Sequence, residues 1–128
     1  MISRLFLAFN ALAIGSIGLI YLYDPNILLA RYDLQTGSVS MDNMLRSTYG
    51  GLFLLSAAIF CAGIFKRSRR RDSLAFVAIF MTGATIGRIA SIIDVGVPHA
   101  TIMPLLYFEI IMSVLAVLLW VKSNPSAA

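Results

Sequence analysis

Two runs of nineteen residues, Leu5 to Tyr23 and Ser47 to Phe65, contain no charged side chain at all. About 20 mostly apolar residues in helical form cover the roughly 30 Å hydrocarbon layer of a bilayer, so each run has the length of a membrane span. Two further stretches have that length but are interrupted. Leu74 to Ile93 contains Arg88, and Ile102 to Val121 contains Glu109. Backbone groups find no water in lipid, and none of the four stretches alternates polar and apolar residues as a barrel strand does, so all four are expected to be helices. The expected fold is an all-α integral membrane four-helix bundle, a single transmembrane domain over residues 1–128 with helices at about 5–23, 44–65, 74–93 and 102–121. Composition agrees, with 59% apolar residues, 12% charged residues and a mean hydropathy of +0.88. There are too few charges to dress a water-facing surface.

Arg4 before the first run resembles the start of a signal peptide. The run is longer than a signal core, however, and it ends in "YLYDPN" where small residues would be needed for cleavage, so it is expected to be retained. Pro25 stops it. The connection "KRSRRRD", residues 66–72, holds Lys66, Arg67, Arg69, Arg70 and Arg71, five of the ten basic residues. With four crossings, Arg4 and Lys122 fall on the same side as this turn. The positive-inside rule makes that side cytoplasmic, N-in and C-in, in a bacterial inner membrane. The five cations are expected to contact anionic lipid head groups. A seven-residue turn is too short for a nucleic-acid module, so no nucleic acid is expected. Across the membrane, Asp24 to Asn43 contains "NILLARYDL", apolar and aromatic enough to lie along a membrane surface.

Arg88 and Glu109 carry the functional interest. At 1.5 Å per residue each lies about 10 Å from the external end of its helix, so the two are at matching depth on neighbouring antiparallel helices. An unpaired charge in hydrocarbon costs from about 2.5 kcal/mol upward, and an ion pair is therefore expected. Arg46 enters at the same end of the second helix and shares a face with Tyr49, Gly50 and Phe53, one turn after Asn43. Arg46, Tyr49, Arg88, Asp94 and Glu109 thus form the candidate ligand-binding set, two arginines approaching one carboxylate with Asp94 and Asp42 at the rim. Together the two guanidiniums offer more donors than one carboxylate can use. Two readings stay open: a cluster that holds a guest, and a pair that only holds the helices together while Arg46 snorkels to the surface.

Small residues mark expected helix contacts. Gly83, Gly87 and Ser91 form a stripe at four-residue spacing on the third helix, and Gly50 and Gly51 lie on the second, where Gly51 follows Ser47 at the same spacing. Ala11 with Gly15 offers the same on the first helix, and Asn10 is expected to hydrogen-bond between helices. Such contacts suit packing within one chain or across a homodimer or other membrane partner. His99, after Pro98, stands alone and makes no zinc or haem site, and Cys61 has no partner for a disulfide. No paired carboxylates, nucleophile triad or phosphate loop is present, so no catalytic set, cofactor or metal is expected.

The run "NMLRSTYGGLFL" at residues 43–54, then the basic turn, "GRIASIIDVGVP" at 87–98 and "YFEI" around residue 109 resemble an uncharacterised bacterial family of about this length with four predicted transmembrane helices, a domain of unknown function. Val95 separates Asp94 from Gly96 here, a departure from the family's Asp-Gly-x-Pro. The resemblance implies recurring polar positions at Arg46, Arg88, Asp94 and Glu109 and supplies no activity. Three function classes remain: a binding or accessory protein for an anionic or quinone-like ligand, lipid head group or partner helix; a small proton-coupled transporter; and a subunit of a lipid- or quinone-linked membrane enzyme. A guanidinium beside Glu109 favours the charged carboxylate and speaks against proton exchange there.

Overall fold

The computed structural model describes residues 1–123, and the last five residues of the expected domain, 124–128, lie outside them. Helices account for most of the described residues, which contain no strand. Four helices are long and apolar enough to cross a membrane. The first is α1 (Ile2–Tyr23). Its end is set by Pro25, which drives Asp24 into an extended conformation (φ −154°, ψ 108°). Asp24 Oδ1 then accepts from the backbone and side-chain amides of Asn26 (2.9 and 3.1 Å), starting the short α2 (Asn26–Leu29) and its 3-10 extension Ala30–Tyr32. This is the segment expected to lie along a surface.

The second long helix runs from Val39 to Phe65 and has three parts: α3 (Val39–Leu45), a π-helical segment (Arg46–Leu52) and α4 (Phe53–Phe65). It begins at Val39 rather than Met44 because the Ser38 hydroxyl caps it, accepting from the Met41 amide at 3.1 Å. The third, α5 (Arg70–Val95), extends beyond Leu74–Ile93 at both ends. Much of the basic turn is coiled into helix, with Arg67–Arg69 a 3-10 turn and Arg70 the first residue of α5. Gly96, at φ 107°, ends α5 in a conformation that side chains disfavour. After the turn, α6 (Met103–Lys122) has Pro104 in its first turn, where its missing N–H is not needed.

The helices pack as two antiparallel pairs, α1 with the second long helix and α5 with α6. The pairs meet at the basic-turn end. There Leu7, Ala11 and Ile14 of α1, Phe60 of α4, Leu74, Val77, Ala78 and Met81 of α5 and Ala116 of α6 form one core. Asn10 lies in it, fully buried, donating to its own helix at Phe6 O (2.8 Å) and reaching across to Met112 Sδ (3.9 Å). Toward the other end the pairs diverge. The outward faces are apolar, with Leu5, Leu12, Leu19, Leu55, Ile79 and Ile86 among many exposed side chains.

Gly15 is a helix contact as expected, a Cβ there lying 3.3 Å from Ala57 Cβ, but the tightest contacts fall on glycines that the small-residue spacing does not single out. A Cβ on Gly63 would lie 2.6 Å from the Ser73 side chain and 2.8 Å from Leu7 Cδ1, and one on Gly18 would lie 3.0 Å from the Leu54 amide. Gly50 is a contact as expected, with the Leu22 backbone 3.2 Å from where its Cβ would be. The expected contacts at Gly83, Gly87 and Gly51 are not found. Nothing lies within 4 Å of a Cβ at Gly83 or Gly87, and one at Gly51 would meet only Arg46 O of its own helix at 4.0 Å. Ser91 is exposed as well. The physical reason is the divergence of the pairs, which takes any facing helix away from this stripe. Replacing Gly63 with Val should lower unfolding stability in detergent by about 1–3 kcal/mol through overpacking, whereas Gly51→Ala should be neutral or slightly stabilising; SDS-titrated unfolding followed by circular dichroism separates the two.

Candidate functional site

Between the diverging pairs is a cavity of about 750 Å³, within the range of about 300–1,000 Å³ typical of small-molecule sites. Ile14, Ile17 and Tyr21 of α1 form one wall, Tyr49 and Phe53 of the second long helix the next, Phe80 to Ile92 of α5 the third, and Leu105, Phe108 and Glu109 of α6 the last. Leu28 and Tyr32 close the end away from the basic turn, together with Pro98 and Ile102.

Arg88 and Glu109 meet inside this cavity. Arg88 Nε donates to Glu109 Oε2 at 2.9 Å and Nη2 donates to Oε1 at 2.6 Å, a bidentate pair whose side chains are 25% and 12% exposed. Helix spacing makes the geometry possible: one to two turns closer to the basic end, Thr82 and Ser113 share a hydroxyl contact of 2.5 Å that registers α5 against α6. A guanidinium has five N–H donors, and two are used here. The remaining three have no partner among the described residues. Glu109, by contrast, has both oxygens engaged.

The rest of the wall is aromatic. Tyr21 and Tyr49 rings stand 5.1 Å apart, Tyr49 meets Phe53 edge-on at 5.4 Å, and Phe53 meets Phe80 edge-on at 5.3 Å, a continuous chain from α1 across to α5. Tyr49 belongs to the π segment, and such irregular turns within helices are frequent at functional sites. Tyr21 and Tyr32, which bring two more phenols to the cavity, lie outside the expected set. Their sign in the sequence is position alone, since both flank the Pro25 turn that ends α1.

Two members of the expected set are not brought in. Arg46 does not approach Glu109. Its Nε donates to Asp42 Oδ2 at 2.6 Å, and its Nη1 donates to the carbonyls of Leu22 (2.5 Å) and Tyr23 (2.7 Å), which are orphaned at the end of α1. Arg46 therefore ties α1 to the second long helix. Asp94 is exposed in the last turn of α5 and does not line the cavity. Elsewhere, Arg70 turns inward, its Nε donating to Gly63 O at 3.2 Å, while Lys66, Arg67, Arg69 and Arg71 are exposed and Arg71 lies 5.2 Å over the Trp120 ring. Among the described residues no group of His, Cys, Asp and Glu has the arrangement of a metal site.

Fold and site together define a helical protein with four spanning-length helices and an aromatic cavity containing one ion pair. The chain belongs to the family described as domain of unknown function DUF4345, whose model matches residues 2–120. No curated protein and no solved structure matches it.

The bidentate pair is testable as a unit. Arg88→Ala and Glu109→Ala should each destabilise the protein by leaving the other charge unpaired, and the double variant should be less destabilised than the sum of the two by about 0.5–3 kcal/mol. A double-mutant cycle of unfolding free energies in detergent measures this coupling.

Proposed function

We propose that this chain is a small multi-pass protein of the bacterial inner membrane that binds an uncharged, membrane-borne ligand with a carbonyl-bearing ring, in the manner of a quinone, in a binding or accessory role. The observation that carries the proposal is the cavity containing Arg88, whose three unused N–H donors sit beside aromatic walls. Glu109 cancels the charge of Arg88, so the site offers hydrogen-bond donors without net charge, which suits a neutral acceptor better than an anion. The Tyr21, Tyr32 and Tyr49 rings supply flat apolar surface with hydroxyl groups at its edge. A planar ring with two acceptor oxygens satisfies both features. A proton-coupled transporter finds less support, since both oxygens of Glu109, the only carboxylate lining the cavity among the described residues, accept from Arg88.

Placement in the membrane rests on the apolar outward faces and the length of the four helices, and orientation on the cluster of exposed cations at one end. In this arrangement the basic turn is cytoplasmic and touches anionic lipid through Lys66, Arg67, Arg69 and Arg71, and the cavity opens in the outer half of the bilayer. Alkaline phosphatase fused after Gly96 should be active and a fusion after Lys122 inactive; the reverse pattern refutes N-in, C-in.

Ligand binding is tested with the purified protein in nanodiscs, titrated with decyl-substituted benzoquinone and followed by microcalorimetry. Saturable binding is expected. Arg88→Lys keeps the charge opposite Glu109 but loses the planar donors, so it should weaken binding about tenfold to a hundredfold, equivalent to roughly 1.5–3 kcal/mol for hydrogen bonds to a charged group. A wild-type protein that does not bind, or a lysine variant that binds equally well, contradicts the proposal.

A further inference from the structure

Four of the cavity-lining residues are exposed: Tyr49, Gly83, Gly87 and Ser91. The others are buried or half-buried. Tyr49 lies on the edge of the second long helix that faces α5, and Gly83, Gly87 and Ser91 form one stripe of α5, so the exposed residues are the two lips of a single gap. Below the gap, Phe53 against Phe80 and Phe60 against Phe76 hold the same two helices together. The gap opens sideways, because its lips are mid-helix residues and the end of the cavity is covered by Leu28, Tyr32, Pro98 and Ile102. From Gly83 to Ser91 it runs about 12 Å along α5. A Cβ at Gly83 or Gly87 would meet no atom of a neighbouring helix within 4 Å, so the missing side chains leave space rather than admit a helix.

We propose that this gap is a lateral portal, occupied by the single hydrocarbon chain of a ligand whose head group is at Arg88, and that Gly83 and Gly87 determine which chains are accepted. The inference rests on the ligand-binding role proposed above. An amphiphile dissolved in the bilayer reaches the cavity through the portal without crossing water, places its acceptor group against the unused donors of Arg88, and leaves its chain in the slot. Gly83, Gly87 and Ser91 bring no charge and almost no bulk to the slot. A helix from a second copy is a poorer occupant, because its backbone groups are already hydrogen-bonded internally and would leave the donors of Arg88 unmatched.

The test compares two probes in nanodiscs: decyl-substituted benzoquinone, and the same ring without a chain. Gly87→Leu and Gly83→Leu should weaken the decyl probe roughly tenfold or more beyond any effect on the chainless ring, since each methylene kept from apolar surface counts. If the variants bind the decyl probe as the wild type does, the portal is wrong while the binding role stands. If the wild type binds neither probe, both fall. A ligand-free readout stands beside this: in a Trp120→Phe background, the indole of Gly87→Trp should be strongly quenched by lipids brominated along the acyl chain. Weak quenching, or a dimer that shields the indole, overturns the portal.

Discussion

Everything above the basic turn depends on the contact at Gly63. There three helices touch, with Ser73 of α5 and Leu7 of α1 lying 2.6 and 2.8 Å from where a Cβ on Gly63 of α4 would be. The Ser73 hydroxyl also donates to Ile59 O at 2.7 Å, and Arg70 donates to Gly63 O. This junction fixes the two helix pairs at one end. Each pair is then held by its own contacts, Gly18 and Gly50 on one side and Thr82 with Ser113 on the other. Beyond Phe53 and Phe80 no hydrogen bond or ion pair among the described residues joins the pairs, and the cavity lies between them.

The long helices are legible in the sequence because length and absence of charge are one-dimensional properties. The depth match of Arg88 and Glu109 is nearly so, since a fixed rise per residue converts chain position into height. Arg46 is a different case. Its partners are two main-chain carbonyls made available by the Pro25 turn, and no side-chain pattern announces a carbonyl. The stripe Gly83, Gly87, Ser91 shows a second kind of failure. Small residues at four-residue spacing say that bulk is unwelcome, but not whether a neighbouring helix or an open space requires its absence. Gly63 and Gly18 fail in reverse, because Ile59 and Leu22 stand where a small-residue motif would place a companion.

The π segment links these features. Widening the second long helix over Arg46–Leu52 allows Gly50 to press against Leu22 while Tyr49 reaches the cavity. Arg46 opens the same segment and grips the end of α1. One irregular turn thus serves helix contact, the capping of a neighbour and the cavity wall, which explains why "RSTYGG" mixes a cation, hydroxyls, an aromatic ring and two glycines within a few residues.

The division of the cavity between two helix pairs has a thermodynamic consequence. Arg88 and Glu109 belong to one pair, and Tyr21 and Tyr49 to the other. A guest that touches both sets supplies cross-contacts in the region where the protein makes few of its own, so occupancy and cohesion of that end are linked functions. Anything that binds the folded bundle and not the unfolded chain raises the free energy of unfolding in proportion to the logarithm of its concentration.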